Sequence, residues 1–495
     1  MSTGEFRLAE TSVTDIHSAF RSGALGARSL AQMYLERIET YDQQGPAINA
    51  IIAINPSALA EADRLDASYR TSGPVGPLHG IPVIIKDQAD VQGMATTLGS
   101  VLFKDFFPDR DSFVAARLKQ AGALVLAKAT LGELGGGDTH GSLFGSTKNP
   151  YDLERTVGGS SGGPAGAVAA NFATLAIGQE GLASIRRPAA WNCLAGMRPT
   201  AGLVSRGGVY EGWPGIAGSL GPLTRTVTDL ALLLDAMSGY DPEDPVTAAG
   251  VGHKPDTYAR FLDRDGLKGA RIGILRESMG LYSEPDSEDF REITRVFDRS
   301  VEELQAAGAV VVDPIVIPRL KELLAKRPGS FFGAQETFKI YMSRNADPLF
   351  STREEAIRSP DFSRVNQSAQ NRWLKRPDPA AHYEFLRARE TLMFEFLKVM
   401  ADHRLDAIAH KAVEHSPTLI RDGVNPPFVD QKGAPHINTF LVFVPTIVVP
   451  AGFTAQGLPA GLCLLGRPYD DGAMIRYAYA YEQATGYRRP PPHTP

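Results

Sequence analysis

Apolar residues recur at three- and four-residue intervals through the first part of the chain. This spacing marks one face of an amphipathic helix, and it holds in SVTDIHSAFRSGALGARSLAQMYLERIETYDQ and again in ALAEADRLDASY. We therefore predict that residues 8–70 are helical.

From Gly80 the pattern changes to short apolar runs bounded by glycine and proline. Such runs are typical of buried strands, and they occur at 81–86, 123–128, 167–178, 270–278, 309–317, 440–453 and 459–468. Amphipathic segments that predict helices lie at 111–122, 286–307 and 472–486. Strands that alternate with helices indicate an α/β fold, and we predict a single large mixed β-sheet covered by helices on both faces.

We expect one compact domain that is built from four segments. These are an N-terminal helical segment that packs on the core (1–70), the core with the candidate chemistry (71–245), a variable helix and loop region (246–435) and the strands and helix that complete the core (436–495). Residues 318–430 are rich in charge, arginine and proline and only weakly periodic, so we predict helices and loops laid over the sheet. The last residues, RRPPPHTP, are predicted to be mobile.

Composition excludes several classes of protein. The 495 residues are 43% hydrophobic and 22% charged, as in ordinary soluble globular proteins, and the net charge of −5 gives no footprint for nucleic acid or an anionic membrane. The apolar runs are too short to span a bilayer, and the first residues do not have the pattern of a secretory signal. Two cysteines, Cys193 and Cys463, cannot form a disulfide framework or a cysteine-rich zinc site. These features favour a cytoplasmic enzyme.

Three polar residues stand out as candidate chemistry. Ser160 lies with Ser161 in the glycine-flanked GGSSGG, Ser184 ends a loop of small residues further along, and Lys86 follows the apolar run PVII. Glycine-rich loops can turn backbone N–H groups toward a substrate oxygen, and a buried neutral lysine can accept a proton from a serine. This arrangement suits serine chemistry in which no histidine is the base.

Each of these features has a simpler interpretation. GGSSGG could be a flexible turn or an anion-binding nest, although its spacing fits neither a Walker A loop nor a dinucleotide-binding GxGxxG. Lys86 could be a solvated lysine at a strand end, but the run before it is expected to be buried on both faces. Ser184 could be the N-cap of a helix. The conjunction of the three favours the catalytic interpretation.

The chain resembles the amidase signature family over about residues 10–245 and 440–485. The stretches that carry the resemblance are GPLHGIPVIIKD, LFGSTKNPYDLERTVGGSSGG, SIRRPAAWNCLAGMRPTAGLVS, GPLTRTVTDLALLLDAMSG and GLPAGLCLLGRPYDDGAMIRYAYAYE. The resemblance implies a Ser-Ser-Lys amidohydrolase in which Lys86 is the base, Ser160 the bridging serine after a cis Gly159–Ser160 bond, and Ser184 the nucleophile of an acyl-enzyme. It implies no metal or organic cofactor.

The loop before the expected nucleophile departs from the family pattern. The family usually has G-T-D-x-G-G-S here, whereas this chain has GQEGLAS, with Glu180 in place of the aspartate. The resemblance implies that the N–H groups of Gly181, Leu182 and Ala183 form an oxyanion hole. If that hole requires the left-handed backbone of glycine, the side chains of Leu182 and Ala183 introduce strain. We interpret the chain as a divergent but active member.

Substrate-binding residues are harder to identify. Arg187 could pair with an anionic group of the substrate or form an outward salt bridge. The family lines its leaving-group side with the loop 133–141, which makes Leu134 and Gly136 candidates, and Ser161 is expected to support the site. Four aromatic residues within 318–430, Phe331, Phe332, Tyr341 and Trp373, suggest room for an apolar acyl group.

His410 and His415 lie near Glu414, and we predict surface polar contacts for them rather than a metal site. The expected partner is a small-molecule amide, with a homodimer possible. Three alternatives stay open: the amidase subunit of a tRNA-dependent amidotransferase acting on glutamine, an esterase on the same scaffold, and a non-catalytic homologue.

Overall fold

The computed structural model describes residues 6–216, 218–330 and 332–495. Within these ranges eleven strands form one sheet, and we number them in chain order. They are β1 (Ile51–Ile54), β2 (Pro82–Lys86), β3 (Leu124–Ala129), β4 (Leu175–Glu180), β5 (Ala195–Arg198), β6 (Ser219–Thr224), β7 (Arg271–Leu275), β8 (Val310–Ile315), β9 (Ala407–Lys411), β10 (Thr446–Phe453) and β11 (Pro459–Leu465).

The strands are ordered β1-β3-β2-β4-β6-β5-β10-β11-β9-β7-β8 across the sheet. Parallel pairs join β3 to β2, β2 to β4, β9 to β7 and β7 to β8. The remaining neighbours are antiparallel, so the sheet is mixed. Because β2 and β4 are parallel neighbours, their carboxyl ends meet at one edge, and the candidate chemistry lies there.

Helices cover both faces of the central strands. Every residue of β2, β3, β4 and β6 is buried, and since alternate side chains of a strand point to opposite faces, both faces must be covered. The α-helices of the described residues are α1 (Val13–Ser22), α2 (Ala27–Ile38), α3 (Ala58–Ser72), α4 (Phe113–Gln120), α5 (Gly162–Ala169), α6 (Arg186–Trp191), α7 (Val227–Met237), α8 (Glu288–Ala306), α9 (Leu320–Leu324), α10 (Ala334–Met342), α11 (Arg353–Arg358), α12 (Gln367–Leu374), α13 (Pro379–Asp402), α14 (Ile420–Val424), α15 (Ile437–Phe440) and α16 (Asp471–Thr485). The predicted fold class is confirmed.

Three local predictions differ from the structure. Strand β1 lies inside the stretch predicted to be helical, and β9 lies inside the stretch predicted to hold only helices and loops. The sequence predicts one strand over 167–178, but the first residues of this run end helix α5 and only its last residues begin β4. Helix α5 is rich in glycine because it packs tightly on the sheet: a Cβ on Gly163 would lie 2.2 Å from the carbonyl oxygen of Thr130.

The C-terminal residues are docked rather than mobile. Arg37 of α2 donates a 2.9 Å hydrogen bond to the carbonyl oxygen of Pro495, and Thr494 is fully buried. The sheet takes strands from each of the four predicted segments, and the division into those segments stays a prediction. Among the helices of the described residues, none has both the length and the apolar character needed to cross a membrane.

Candidate active site

Lys86 is the last residue of β2, and its side chain is buried. Its Nζ lies 2.7 Å from Ser160 Oγ, within hydrogen-bond distance, and 3.5 Å from the carbonyl oxygen of Gln179 at the end of β4. The strand is covered on both faces, as the sequence predicted, so the amine is held away from bulk water and directed at a hydroxyl group.

Burial lowers the pKa of Lys86 from its ordinary 10.5 to about 7, because a charged ammonium is poorly solvated inside the protein. The negative charges of Glu211 and Glu180 act in the opposite direction and keep the pKa from falling further. A substantial fraction of Lys86 is therefore neutral at neutral pH, which is the state in which a lysine can accept a proton.

Ser160 lies in the glycine-rich turn that leads into helix α5. The Gly159–Ser160 peptide bond is cis, as the resemblance implies, and the carbonyl oxygen of Ser160 accepts a 3.0 Å hydrogen bond from Gly132 N. The next residue supports the turn: Ser161 Oγ donates to the carbonyl oxygen of Gln179 at 3.0 Å and accepts from its N–H at 3.1 Å. This side chain fixes the turn to the end of β4.

Ser184 lies on the turn that leads from β4 into α6, and its side chain is half-buried. Its carbonyl oxygen accepts a 3.1 Å hydrogen bond from Ser161 N, which holds the two serine turns side by side. The structure thus brings Lys86, Ser160 and Ser184 to one edge of the sheet, although they are far apart in sequence.

The turn at Ser184 contains backbone N–H groups that are available as hydrogen-bond donors. Within the described residues, the N–H groups of residues 181–184 make no hydrogen bond to the protein. A Cβ placed on Gly181 would meet nothing within 4 Å, so the turn is open at this residue. Backbone N–H groups beside a serine that have no partner in the protein are what an oxyanion hole needs.

The departure from the family pattern introduces no left-handed backbone. Neither Leu182 nor Ala183 is among the residues with positive φ, so their side chains cause no strain of that kind. Glu180 organises the turn instead: its carboxylate accepts 2.9 Å hydrogen bonds from the N–H groups of Ile185 and Arg186, and a 2.6 Å bond from Arg186 Nε. The longer acidic side chain therefore caps α6 and pairs with a buried arginine.

Glu211 is a residue of the site that the sequence did not reveal. Its side chain is accessible to solvent, yet the surrounding protein desolvates its carboxyl and raises its pKa. The positive charges of Arg353, Lys86 and Arg372 oppose this shift, because they lower the pKa. Both observations place the carboxyl in a recess of the protein that is open to solvent. Its Oε2 lies 3.5 Å from the point where a Cβ on Gly135 would be, which places it beside the 133–141 loop. A single glutamate in an irregular stretch carries no recognisable sequence signal.

Arg187 does not form an outward salt bridge, which was one of the two contacts expected for it. Its side chain is buried, its Nη2 lies 2.5 Å from Asp138 Oδ1, and the same nitrogen donates a 2.8 Å hydrogen bond to the carbonyl oxygen of Gly159. The guanidinium also lies over the ring of Trp191, 5.3 Å from its centroid. Its charge is thus already matched inside the protein, rather than held free for an anionic group of a substrate.

The other two candidates for substrate binding, Leu134 and Gly136, hold the 133–141 loop against neighbouring segments. Leu134 is buried in an apolar cluster, and its N–H donates a 2.9 Å bond to the carbonyl oxygen of Leu98. The carbonyl oxygen of Gly136 accepts a 2.9 Å bond from Arg372 of α12, and a Cβ at this position would lie 3.0 Å from Arg372 Nε. Glycine is thus suited to the close approach of the arginine.

Of the four aromatic residues predicted to shape an acyl pocket, Phe331 lies outside the described residues. Tyr341 and Trp373 are buried in the same apolar cluster as Leu134, whereas Phe332 is exposed. Two of the four aromatic side chains therefore belong to the apolar cluster that buries Leu134.

The two histidine side chains are buried, so the prediction that they make polar contacts at the surface is wrong. His410, Glu414 and His415 are all buried, His415 Nδ1 lies 2.8 Å from Asp289 Oδ2, and Glu414 accepts a 2.6 Å bond from Met279 N. In the part of the chain that the structure describes, no three candidate ligands are grouped so that they could hold a metal ion.

Several known proteins are similar to this chain. Residues 29–475 match the family model described as Amidase. The chain is 32% identical over 497 residues to a glutamyl-tRNA(Gln) amidotransferase subunit of Gloeobacter violaceus, with 97% of this chain and 98% of that protein covered. It is 31% identical over 512 residues to a probable amidase of Arabidopsis thaliana, with 98% and 92% covered. The native peptide amidase from Stenotrophomonas maltophilia superposes with a TM-score of 0.83 at 33% identity, and 98% of each chain is covered.

Proposed function

The chain belongs to the amidase signature family, and on that premise we propose that it hydrolyses the C–N bond of a carboxylic amide through an acyl-enzyme at Ser184. In this proposal Lys86 is the base, Ser160 transfers the proton, and the N–H groups of Gly181, Leu182 and Ala183 bind the oxyanion. The observation that carries it is the 2.7 Å contact between buried Lys86 Nζ and Ser160 Oγ, beside a turn with unpaired N–H groups.

The first half of the reaction forms the acyl-enzyme. Neutral Lys86 takes the proton of Ser160, and Ser160 takes the proton of Ser184 as Ser184 Oγ bonds to the amide carbon. The carbonyl oxygen becomes an oxyanion, which the free N–H groups stabilise. The C–N bond then breaks, and the proton held by Lys86 returns through Ser160 to the departing amine.

The second half repeats the same proton transfers with water. Water loses a proton to Ser160 and Lys86 as it attacks the acyl carbon, and the C–O bond to Ser184 breaks as the proton returns to that oxygen. The products are a carboxylic acid and the free enzyme. The protons and electrons balance without a metal ion or an organic cofactor.

A fluorophosphonate probe tests the proposal without knowledge of the substrate. We expect it to label Ser184, as located by peptide mass spectrometry, and a screen of aryl, aliphatic and carboxylate-bearing amides and their matched esters to find hydrolysis. Absence of labelling in the folded protein would indicate a non-catalytic homologue. Hydrolysis of esters alone would indicate an esterase.

A second candidate function is that of the amidase component of an amidotransferase. Several relatives are named as subunits of a glutamyl-tRNA(Gln) amidotransferase, including one from Cyanothece at 34% identity over 498 residues. In this case the chain would act on glutamine within a complex. Affinity purification from its native host followed by glutaminase assay tests it: stable partner proteins and glutamine hydrolysis that depends on them would favour the amidotransferase.

We also propose that the chain forms a homodimer and that it is cytoplasmic. Gel filtration of the purified chain tests the homodimer.

The charge of Glu211 is expected to affect the pH at which activity is lost on the acid side. Its negative charge favours the ammonium form of Lys86, so Glu211→Gln should lower the pKa of Lys86 further and leave the base neutral at lower pH. The rising limb of kcat/KM against pH should move to lower pH. Glu243→Gln is the matched control, because Glu243 is an exposed carboxylate paired with Arg110. An unmoved limb in Glu211→Gln would show that this carboxylate does not act on the base.

Leu182 is expected to limit the size of the acyl group, because its side chain is only half-buried beside the nucleophile. Leu182→Gly should raise kcat/KM for bulky acyl groups relative to acetyl by roughly tenfold, with KM changing more than kcat. The control is Ala183→Gly, which trims a fully buried methyl group in the same turn. The measurement compares acetyl and benzoyl derivatives of one leaving group. An unchanged preference in Leu182→Gly would place selectivity elsewhere.

A further inference from the structure

Arg187 connects three segments that meet at the active site. Its own N–H donates a 2.9 Å bond to the carbonyl oxygen of Ala183 in the turn before the nucleophile. Its Nη2 donates to the carbonyl oxygen of Gly159, the residue before Ser160, and lies 2.5 Å from Asp138 of the 133–141 loop. One residue therefore spans both serine turns and the loop beside them.

The carbonyl of Gly159 depends on this side chain. Among the described residues, this oxygen accepts one hydrogen bond, the 2.8 Å bond from Arg187. The Cα of Gly159 is also closely enclosed, since a Cβ on it would lie 2.3 Å from the carbonyl oxygen of Gly137. One residue further along, Gly132 N holds the carbonyl of Ser160. Removing the guanidinium would leave a buried acceptor unpaired and free the segment that carries Ser160.

The pair of charges is expensive to bury, and its own hydrogen bonds are incomplete. Both side chains are about 1% exposed, and Arg187 Nε and Nη1 have no hydrogen-bond partner among the described atoms. A buried ion pair of this kind gives little net stability compared with apolar packing. Stability alone therefore does not account for an arginine in this place, whereas its contact with the Ser160 peptide does.

We propose that Arg187, with Asp138 as its counter-ion, is a positioning residue that fixes the Gly159 carbonyl and thereby holds Ser160 in line between Lys86 and Ser184. This inference rests on the proposed function, because it requires that Ser160 transfers the proton. Arg187 touches neither substrate nor a transferred proton in this role.

The test is the rate at which a fluorophosphonate labels Ser184, resolved into a maximal rate and a half-saturating probe concentration. Arg187→Met keeps an unbranched side chain but removes the donor and the charge. We expect the maximal rate to fall about 100-fold, as for a small misplacement of a catalytic group, with the half-saturating concentration within a few-fold of the parent. Arg187→Lys, which keeps a charged donor, should recover part of the rate.

A double-mutant comparison separates this role from a general effect on folding. In a Ser160→Ala background, Arg187→Met should slow labelling by less than about threefold, because the group that it positions is already absent. The control is Arg225→Met: Arg225 is also buried and donates to three backbone carbonyl oxygens, those of Val168, Ala173 and Thr11, but it contacts no triad residue. It should change thermal stability and leave the labelling rate near that of the parent.

Each outcome decides one question. If Ser184 is not labelled, or if Ser160→Ala labels at the parent rate, the proposed function fails. If both of those results are as expected but folded Arg187→Met labels at the parent rate, or slows labelling equally with and without Ser160, the positioning role is overturned. If Arg187→Met does not fold, Arg187→Leu, which also removes the donor and the charge, takes its place, and a folded leucine variant with the parent labelling rate would contradict the proposal.

Discussion

Replacement of Ser184 by alanine is expected to lower kcat by about 10⁴-fold or more, because no other group can form the acyl-enzyme. Lys86→Ala should lower kcat by a similar factor, and Ser160→Ala by nearly as much. Steady-state hydrolysis of the best amide found by screening measures all three. Thermal unfolding should show that Ser184→Ala is folded, since this side chain is half-buried and only its hydroxyl is lost.

The double variant is the sharper measurement. Residues that act as a unit are not additive, so Lys86→Ala/Ser184→Ala should be little worse than either single change. Near-normal turnover in Ser184→Ala would end this mechanism. Losses that multiply in the double variant would show that the lysine and the serine act independently.

Lys86→Arg is expected to be inactive at every pH, although it keeps a positive charge, because a guanidinium does not give up its proton. For the parent enzyme, kcat/KM should rise with pH through an apparent pKa near 7 and stay high in alkali, since only neutral Lys86 can act as the base. The acid side is low because the ammonium form has no free electron pair. A pH series of kcat/KM on one substrate checks both statements.

The pH series also distinguishes the base from a histidine. A profile with the same rising limb in Lys86→Arg would show that another group takes the proton. Activity that falls again in alkali would indicate a required acid that the proposed relay does not contain. Lys86→Met is the control for burial, because it is uncharged, fills similar space and should be equally inactive.

The central strands of the sheet could be predicted from the sequence because they are buried on both faces and are therefore mostly apolar. Lys86 was recognisable for the same reason, as a charge at the end of such a run. Strands β1 and β9 were missed because they are short and lie in stretches dominated by helical or charged patterns. The small residues of α5 resemble a strand in sequence, because this helix is buried on every side and so lacks the polar face that a surface helix shows.

The surroundings of the triad could not be predicted, because they depend on contacts between distant segments. Arg187 was expected at the surface or in the substrate pocket, and only the fold shows Asp138 and Gly159 beside it. Glu211 lies in an irregular loop that has no periodic signal. The effect of Leu182 and Ala183 on the backbone likewise required the φ angles themselves.

The buried amine of Lys86 also links proton binding to the stability of the whole fold. Unfolded, this amine titrates near its ordinary pKa of 10.5, whereas in the folded protein it titrates at about 7. Between these values the unfolded chain binds more protons, so this group's contribution to the free energy of unfolding rises with pH, by about 1.4 kcal/mol for each pH unit, and is lost as pH falls toward 7. Mildly alkaline conditions therefore favour both the neutral base and the folded state. Acidification disfavours both, because the same proton binds to the Lys86 amine in each case.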